Sequence, residues 1–161
     1  LHEKMEMRSR RLQGLALAGI ATALYALHVE NTLANPPPDY EPLCSTSWGS
    51  CATVFTSEYS RILSHWQIVE RHSYFDISLP VAGILNYTVY MLYPYVEKKL
   101  PNREAALFLL SCASVGFSCY LLYILKYVLQ DFCIVCTTFH VINFSTFFFV
   151  ALPEFVDWLR R

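Results

Sequence analysis

The sequence predicts an all-α membrane protein: four transmembrane helices in one bundle, with a long outer loop and a short amphipathic helix capping the site. Three observations carry that prediction. Of 161 residues, 55% are apolar and 16% aromatic, and the mean hydropathy is +0.33, which is greasier than an ordinary soluble domain. Four windows almost free of formal charge lie at 12–29, 77–96, 105–125 and 132–152, and each is long enough to cross about 30 Å of hydrocarbon as a helix. Basic residues mark one side: Lys4, Arg8, Arg10 and Arg11 precede the first window, Lys98, Lys99 and Arg103 separate the second from the third, and Arg160 and Arg161 follow the fourth. Those segments, and with them both termini, are expected in the cytosol. The 30–76 loop carries Glu30, Asp39, Glu41, Glu58, Glu70 and Asp76 against only Arg61 and Arg71, so it faces the other compartment. The chain reads as one integral membrane unit, 1–161. A net charge of −1 with no basic block argues against nucleic-acid binding.

The first window competes with a cleaved signal peptide, because basic residues, an apolar stretch and "TLA" before Asn35 imitate one. Its eighteen residues are long for such a peptide, and a retained span is expected. The chain starts at Leu rather than Met, as a trimmed sequence would, and residues 1–7 are assigned no function. "NPPPDYEP" at 35–42 stops the first helix and holds the chain extended, returning Cys44 toward the membrane surface. After "CSTSWGSC", the apolar positions Val54, Phe55, Tyr59, Ile62, Leu63, Trp66 and Val69 predict an amphipathic helix lying over the bundle. His28, His65 and His72 read as surface or interface residues, and Trp48, Trp66 and Trp158 as interfacial anchors.

Within the spans, Asn86 needs a partner, either another helix or a ligand. "SCASVGFSC" at 111–119 predicts close helix approach through small residues, with Cys112 and Cys119 as packing groups. "NYT" and "NFS" at 86 and 143 fit the glycosylation pattern but sit inside spans, out of reach of the modifying enzyme.

The other four cysteines carry the chemistry. Cys44 and Cys51 lie in the outer loop, and Cys133 and Cys136 at the outer end of the fourth window, all on the oxidising side. A structural bridge within C-x-x-C closes too short a loop to staple anything. Zinc would want all four thiolates in an oxidising compartment, so no resident metal is expected. Redox exchange is the better use of the spacing. Asp131 is placed to cap the helix whose first turn holds Cys133, and free N–H groups there favour a thiolate. Cys133 is expected to be the more exposed thiol. At 100° per residue Cys133, Cys136 and His140 share one face, so a reactant inside the bundle would meet Cys136 and His140. Two dithiols above one rim form a relay in which one pair meets soluble thiols and the other a membrane-soluble two-electron acceptor, most simply a quinone.

"LYALHVE" (24–30), "DYEPLC" (39–44), "SCATVF" (50–55) and "QDFCIVCTT" (130–138), in this order, resemble the vitamin K epoxide reductase family. The resemblance implies a four-helix bundle of the endoplasmic reticulum membrane that reduces a quinone, and in some members its 2,3-epoxide, at the expense of lumenal thiols or thiol–disulfide oxidoreductases. It implies no tightly bound cofactor, the quinone being substrate. It makes Cys133 and Cys136 the active-site pair and Cys44 and Cys51 the shuttle pair, with Phe55, Tyr87, Leu121 and Leu125 at positions similar to quinone contacts. Three positions differ from the vertebrate pattern: Leu79 stands where an asparagine precedes the second span, His140 replaces a tyrosine, and the outer pair is C-x₆-C, one residue shorter. "ISLPVAG" is similar to bacterial and plant members. Asn86 and His140 are the candidates to replace the missing polar contacts. Two other classes remain open: a bacterial-type quinone-coupled disulfide oxidase, and a claudin-like four-span scaffold in which the loop disulfide is permanent.

Overall fold

The computed structural model describes residues 2–47, 49–71 and 73–160. Leu1, Trp48, His72, Arg161 and the side chains of His2 and Lys4 lie outside the described residues, and so do the sequence readings made for them. Every named element is helical. The longest, α1, runs His2–Ala34 and stops just before the Pro-rich segment, as prolines that cannot continue a helix require. Its buried face is built of small or compact residues, with Ala16, Ala23, Ala26 and Val29 recurring at helical spacing. Helices α4 (Leu79–Val96) and α6 (Ile134–Thr146) pack along that face. Gly19 is needed there: a Cβ at this position would lie 2.5 Å from the ring of Tyr87 on α4, so only glycine lets the ring rest on α1. Leu17 and Leu24 point the other way and are exposed, as residues facing lipid would be.

Three stretches are long and apolar enough to cross a membrane: Met5–Ala34, Arg103–Val128 and Ile134–Leu159. The expected second span, now α4, is not among them, because four tyrosines, Asn86 and two prolines dilute its aliphatic residues. Pro80 sits in its first turn, where its missing N–H costs nothing. Helix α5 (Arg103–Tyr123) ends in a wide π turn at Ile124–Val128. A second π turn, Phe147–Ala151, joins α6 to α7 (Leu152–Leu159), so the last helical stretch outruns the expected 132–152.

The amphipathic helix expected across residues 54–69 is instead broken into α2 (Cys51–Thr56), a 3₁₀ turn at Glu58–Ser60 and α3 (Ile62–His65). Extended backbone at Ser57 and non-helical backbone at Arg61 separate the pieces. The breaks let Val54, Phe55 and Ile62 all reach the interior while Trp66 stays at the surface. The Trp66 indole N–H donates to the Tyr120 hydroxyl at 3.0 Å, and Arg61 lies 3.8 Å from Glu30 and 3.7 Å from Asp76. These contacts tie the cap to α5, to α1 and to the approach of α4.

The small-residue stripe of α5 also departs from expectation. Ser111 and Ser118 are buried, but Cys119 is exposed, and a Cβ on Gly116 would meet nothing within 4 Å. The serines pack; the Cys119 and Gly116 positions turn outward, about 100° and more around the same helix. At the end away from the cap, buried Arg8 bridges Glu97, in the turn after α4, and Glu154 on α7. The interior divides accordingly into a cluster around Tyr87, Tyr90 and Leu107 and a second cluster under the cap that contains Cys44, Cys51 and Cys133.

Candidate active site

Cys44 and Cys51 form a disulfide with Cα atoms 5.8 Å apart, closed by a turn in which Thr46 and Gly49 exchange backbone hydrogen bonds. Cys51 is the first residue of α2, whose N-cap is Ser50: its hydroxyl accepts from the Ala52 N–H at 3.1 Å. Across the chain, the Cys51 sulfur lies 3.5 Å from that of Cys133. Cys133 and Cys136 are free thiols.

Cys133 is not the exposed thiol that the sequence suggested. Its exposure is 0%, because the loop disulfide and α2 lie directly over it. Nor does Asp131 cap α6. Cys133 itself is the N-cap, its sulfur accepting from the Cys136 N–H at 3.3 Å, a contact that favours a thiolate. The Asp131 carboxylate is turned to the loop, where one oxygen accepts from the N–H groups of Phe132 at 2.7 Å and Ser50 at 3.0 Å. Partial burial pushes its pKa up, but the Thr53 hydroxyl and those two N–H groups outweigh it and hold the carboxyl below its usual range.

Below the sulfurs lies a cavity of about 300 Å³. Phe55, Asn86, Tyr87, Leu121, Leu125 and His140 all line it, and so does Cys136, whereas Cys133, Cys44 and Cys51 do not. The lining is mostly apolar with a few polar groups, the usual make-up of a small-molecule site. His140 is buried, and neither ring nitrogen has a hydrogen-bond partner among the described residues. Asn86, half-buried, does both things that an amide within a span can: its oxygen accepts from the Ser114 hydroxyl at 3.2 Å, and the side chain faces the cavity. Leu79 also lines the cavity and contributes only hydrocarbon.

Sequence reasoning missed Asn143, considered only as a glycosylation pattern. It lines the cavity, accepts from the Tyr87 hydroxyl at 3.0 Å and donates to the Ser118 hydroxyl at 2.8 Å. A signal existed, since Asn143 lies seven residues after Cys136 and three after His140 and therefore shares their face. Nothing in the sequence pointed to the Asp131 contact with Ser50, which joins residues 81 positions apart. Among the described residues no three His, Cys, Asp or Glu side chains gather as a metal site.

A sequence profile described as "Vitamin K epoxide reductase family" matches residues 11–151. The chain belongs to the vitamin K epoxide reductase family. It is 38% identical over 135 residues to the vitamin K epoxide reductase complex subunit 1 of Rattus norvegicus, covering 80% of each chain. To the same subunit of Mus musculus it is 36% identical over 148 residues, covering 87% of this chain and 88% of the relative. As a vitamin K epoxide reductase family member it is a membrane oxidoreductase of the thiol–disulfide type, and one of its thiols, that of Cys136, lines the apolar cavity.

Proposed function

We propose that this protein reduces a vitamin K-type quinone, and its 2,3-epoxide, in the endoplasmic reticulum membrane by passing electron pairs through two dithiols. The observation that carries the reading is the 3.5 Å approach of the Cys51 and Cys133 sulfurs together with Cys136 on the cavity wall. The proposed frame is one four-span domain with both termini in the cytosol and 30–76 in the lumen, α4 serving as the second span.

The cycle begins when a lumenal thiol, small or on a thiol–disulfide oxidoreductase, attacks the Cys44 sulfur. Cys44 is the less buried of the loop pair, at 6% against 0% for Cys51. The loop pair becomes two thiols, and the Cys51 thiolate attacks Cys133 in a Cys133–Cys136 disulfide, expelling Cys136 as thiolate. Cys44 then displaces Cys133 and re-forms the loop disulfide. The loaded dithiol gives two electrons and two protons to the quinone, yielding hydroquinone and the Cys133–Cys136 disulfide. An epoxide would yield quinone and water by the same count. His140 and Asn86 offer hydrogen bonds to the substrate oxygens, and Asn143 and Tyr87 brace the wall beside them.

Two measurements test this. In Cys44→Ala protein, Cys51 lacks its resolving partner, so mass mapping under turnover should find a Cys51–Cys133 mixed disulfide. A small reductant should partly bypass loss of Cys44, and none should rescue loss of Cys133 or Cys136. Cys51 free while Cys133 and Cys136 remain paired would overturn the shuttle and return the scaffold reading. Thiol-driven reduction of vitamin K epoxide, vitamin K quinone and ubiquinone, assayed side by side, decides the acceptor: turnover of ubiquinone alone would make the protein a disulfide oxidase.

A further inference from the structure

We infer that Asp131 is a positioning residue for electron transfer between the two dithiols: its carboxylate clamps the shuttle loop so that the Cys51 sulfur is held against that of Cys133. The inference rests on the relay reading above and adds to it the device that sets the sulfur–sulfur distance.

No covalent bond joins the loop to α6 in the state described, so something weaker must set the 3.5 Å approach of the two sulfurs. Asp131 brackets both. It lies two residues before Cys133, and its Oδ1 accepts at 3.0 Å from the N–H of Ser50, the residue before Cys51. The same oxygen accepts from the Phe132 N–H at 2.7 Å, which fixes the carboxylate relative to its own backbone. The Thr53 hydroxyl adds a third contact from the far side of Cys51. The chain reaches this geometry through Gln130, whose left-handed φ of 50° turns it away from the end of α5.

Gly49 completes the fit. A Cβ there would overlap the Phe132 carbonyl oxygen and come within 2.7 Å of the Asp131 carboxylate, so the loop can lie on residues 131–132 only without a side chain. The apolar contacts of Val54 and Phe55 hold α2 down but are not directional. A hydrogen bond from a backbone N–H to a carboxylate is directional and stronger than a neutral one, and so can fix the register of Cys51 over Cys133.

The experiment uses the full chain in membranes and compares two reductants: a reduced thioredoxin-fold protein, too large to enter the bundle, and dithiothreitol. In Asp131→Ala, protein-driven quinone turnover should fall about tenfold or more, the effect of losing one charge-assisted hydrogen bond on a docking equilibrium. The KM for quinone should be unchanged. Dithiothreitol-driven turnover should be retained, and alkylation of Cys133 by N-ethylmaleimide should accelerate as the loop lifts. Asp131→Asn keeps an acceptor oxygen for the two N–H groups and should restore most of the protein-driven rate. Gly49→Ala, which keeps the carboxylate's charge but presses a methyl group against the Phe132 carbonyl and the carboxylate itself and so lifts the loop, should reproduce the Asp131→Ala pattern and keeps the test usable should Asp131→Ala fold poorly. Equal loss with both reductants while Cys133 stays protected would make Asp131 a fold residue and overturn the inference, as would an undiminished protein-driven rate. Failure of the relay itself reads differently: Cys51→Ala would then keep its protein-driven turnover whatever Asp131 does.

Discussion

His140 is the most exposed of the site's residues to a functional test, because its two ring nitrogens are buried without partners among the described residues. Buried polar groups of this kind are costly to leave unpaired, and a substrate oxygen can pair with one of them. His140→Ala should therefore raise the KM for quinone about tenfold, the worth of one buried hydrogen bond, with all four relay cysteines still reactive toward maleimide. Asn86→Ala should act in the same direction but less, since half of its amide is already occupied by Ser114, and Ser114 keeps the Leu110 carbonyl as an alternative acceptor. Unchanged kinetics in both variants would mean that other groups read the quinone. The helical face shared by Cys136 and His140 was legible from spacing alone. The burial of Cys133 was not, because what covers it comes from a loop 82 positions away.

At the scale of elements, the contact between α1 and α4 is the tightest to test. Gly19→Ala places a methyl group 2.5 Å from the Tyr87 ring, and overpacking of this kind costs about 1–3 kcal/mol. Since Tyr87 lines the cavity and its hydroxyl holds Asn143, the displaced ring should also disturb the site. The expected result is a lower thermal midpoint in detergent together with weaker quinone turnover. A Gly83→Ala change should be milder, as its Cβ would come no closer than 3.2 Å to any neighbour, the edge of the Phe139 ring. The proline stop after α1 was readable because it depends on local composition, whereas the windows at 12–29 and 132–152 understated helices that run from His2 and on to Leu159. The broken cap was not: an apolar period over residues 54–69 says that one face is buried, but not whether one helix or three short pieces bury it.

For the molecule as a whole, two predictions concern the end away from the cap. A tag inserted between Lys98 and Asn102 should report from the cytosol, and a lumenal signal there would overturn the topology. Arg8, buried between Glu97 and Glu154, joins the first helix to the ends of two others. Arg8→Ala removes the cation that both carboxylates contact and should cost about 3–5 kcal/mol, as removal of one member of a buried ion pair does. Thermal unfolding in detergent checks this.

The apolar windows, the basic flanks, the proline stop and the two cysteine pairs could all be read from the chain by itself, because span length, charge bias and helical spacing are properties of neighbouring residues. Family membership could be read the same way, from short ordered motifs. Which sulfur meets which, the burial of Cys133 under the loop, the turning of Asp131 from cap to clamp, the bracing of the cavity wall by Asn143 and the outward face of Cys119 were decided only by the tertiary structure. Each depends on a partner brought from a distant part of the chain, and no local pattern records how two helices are rotated against one another.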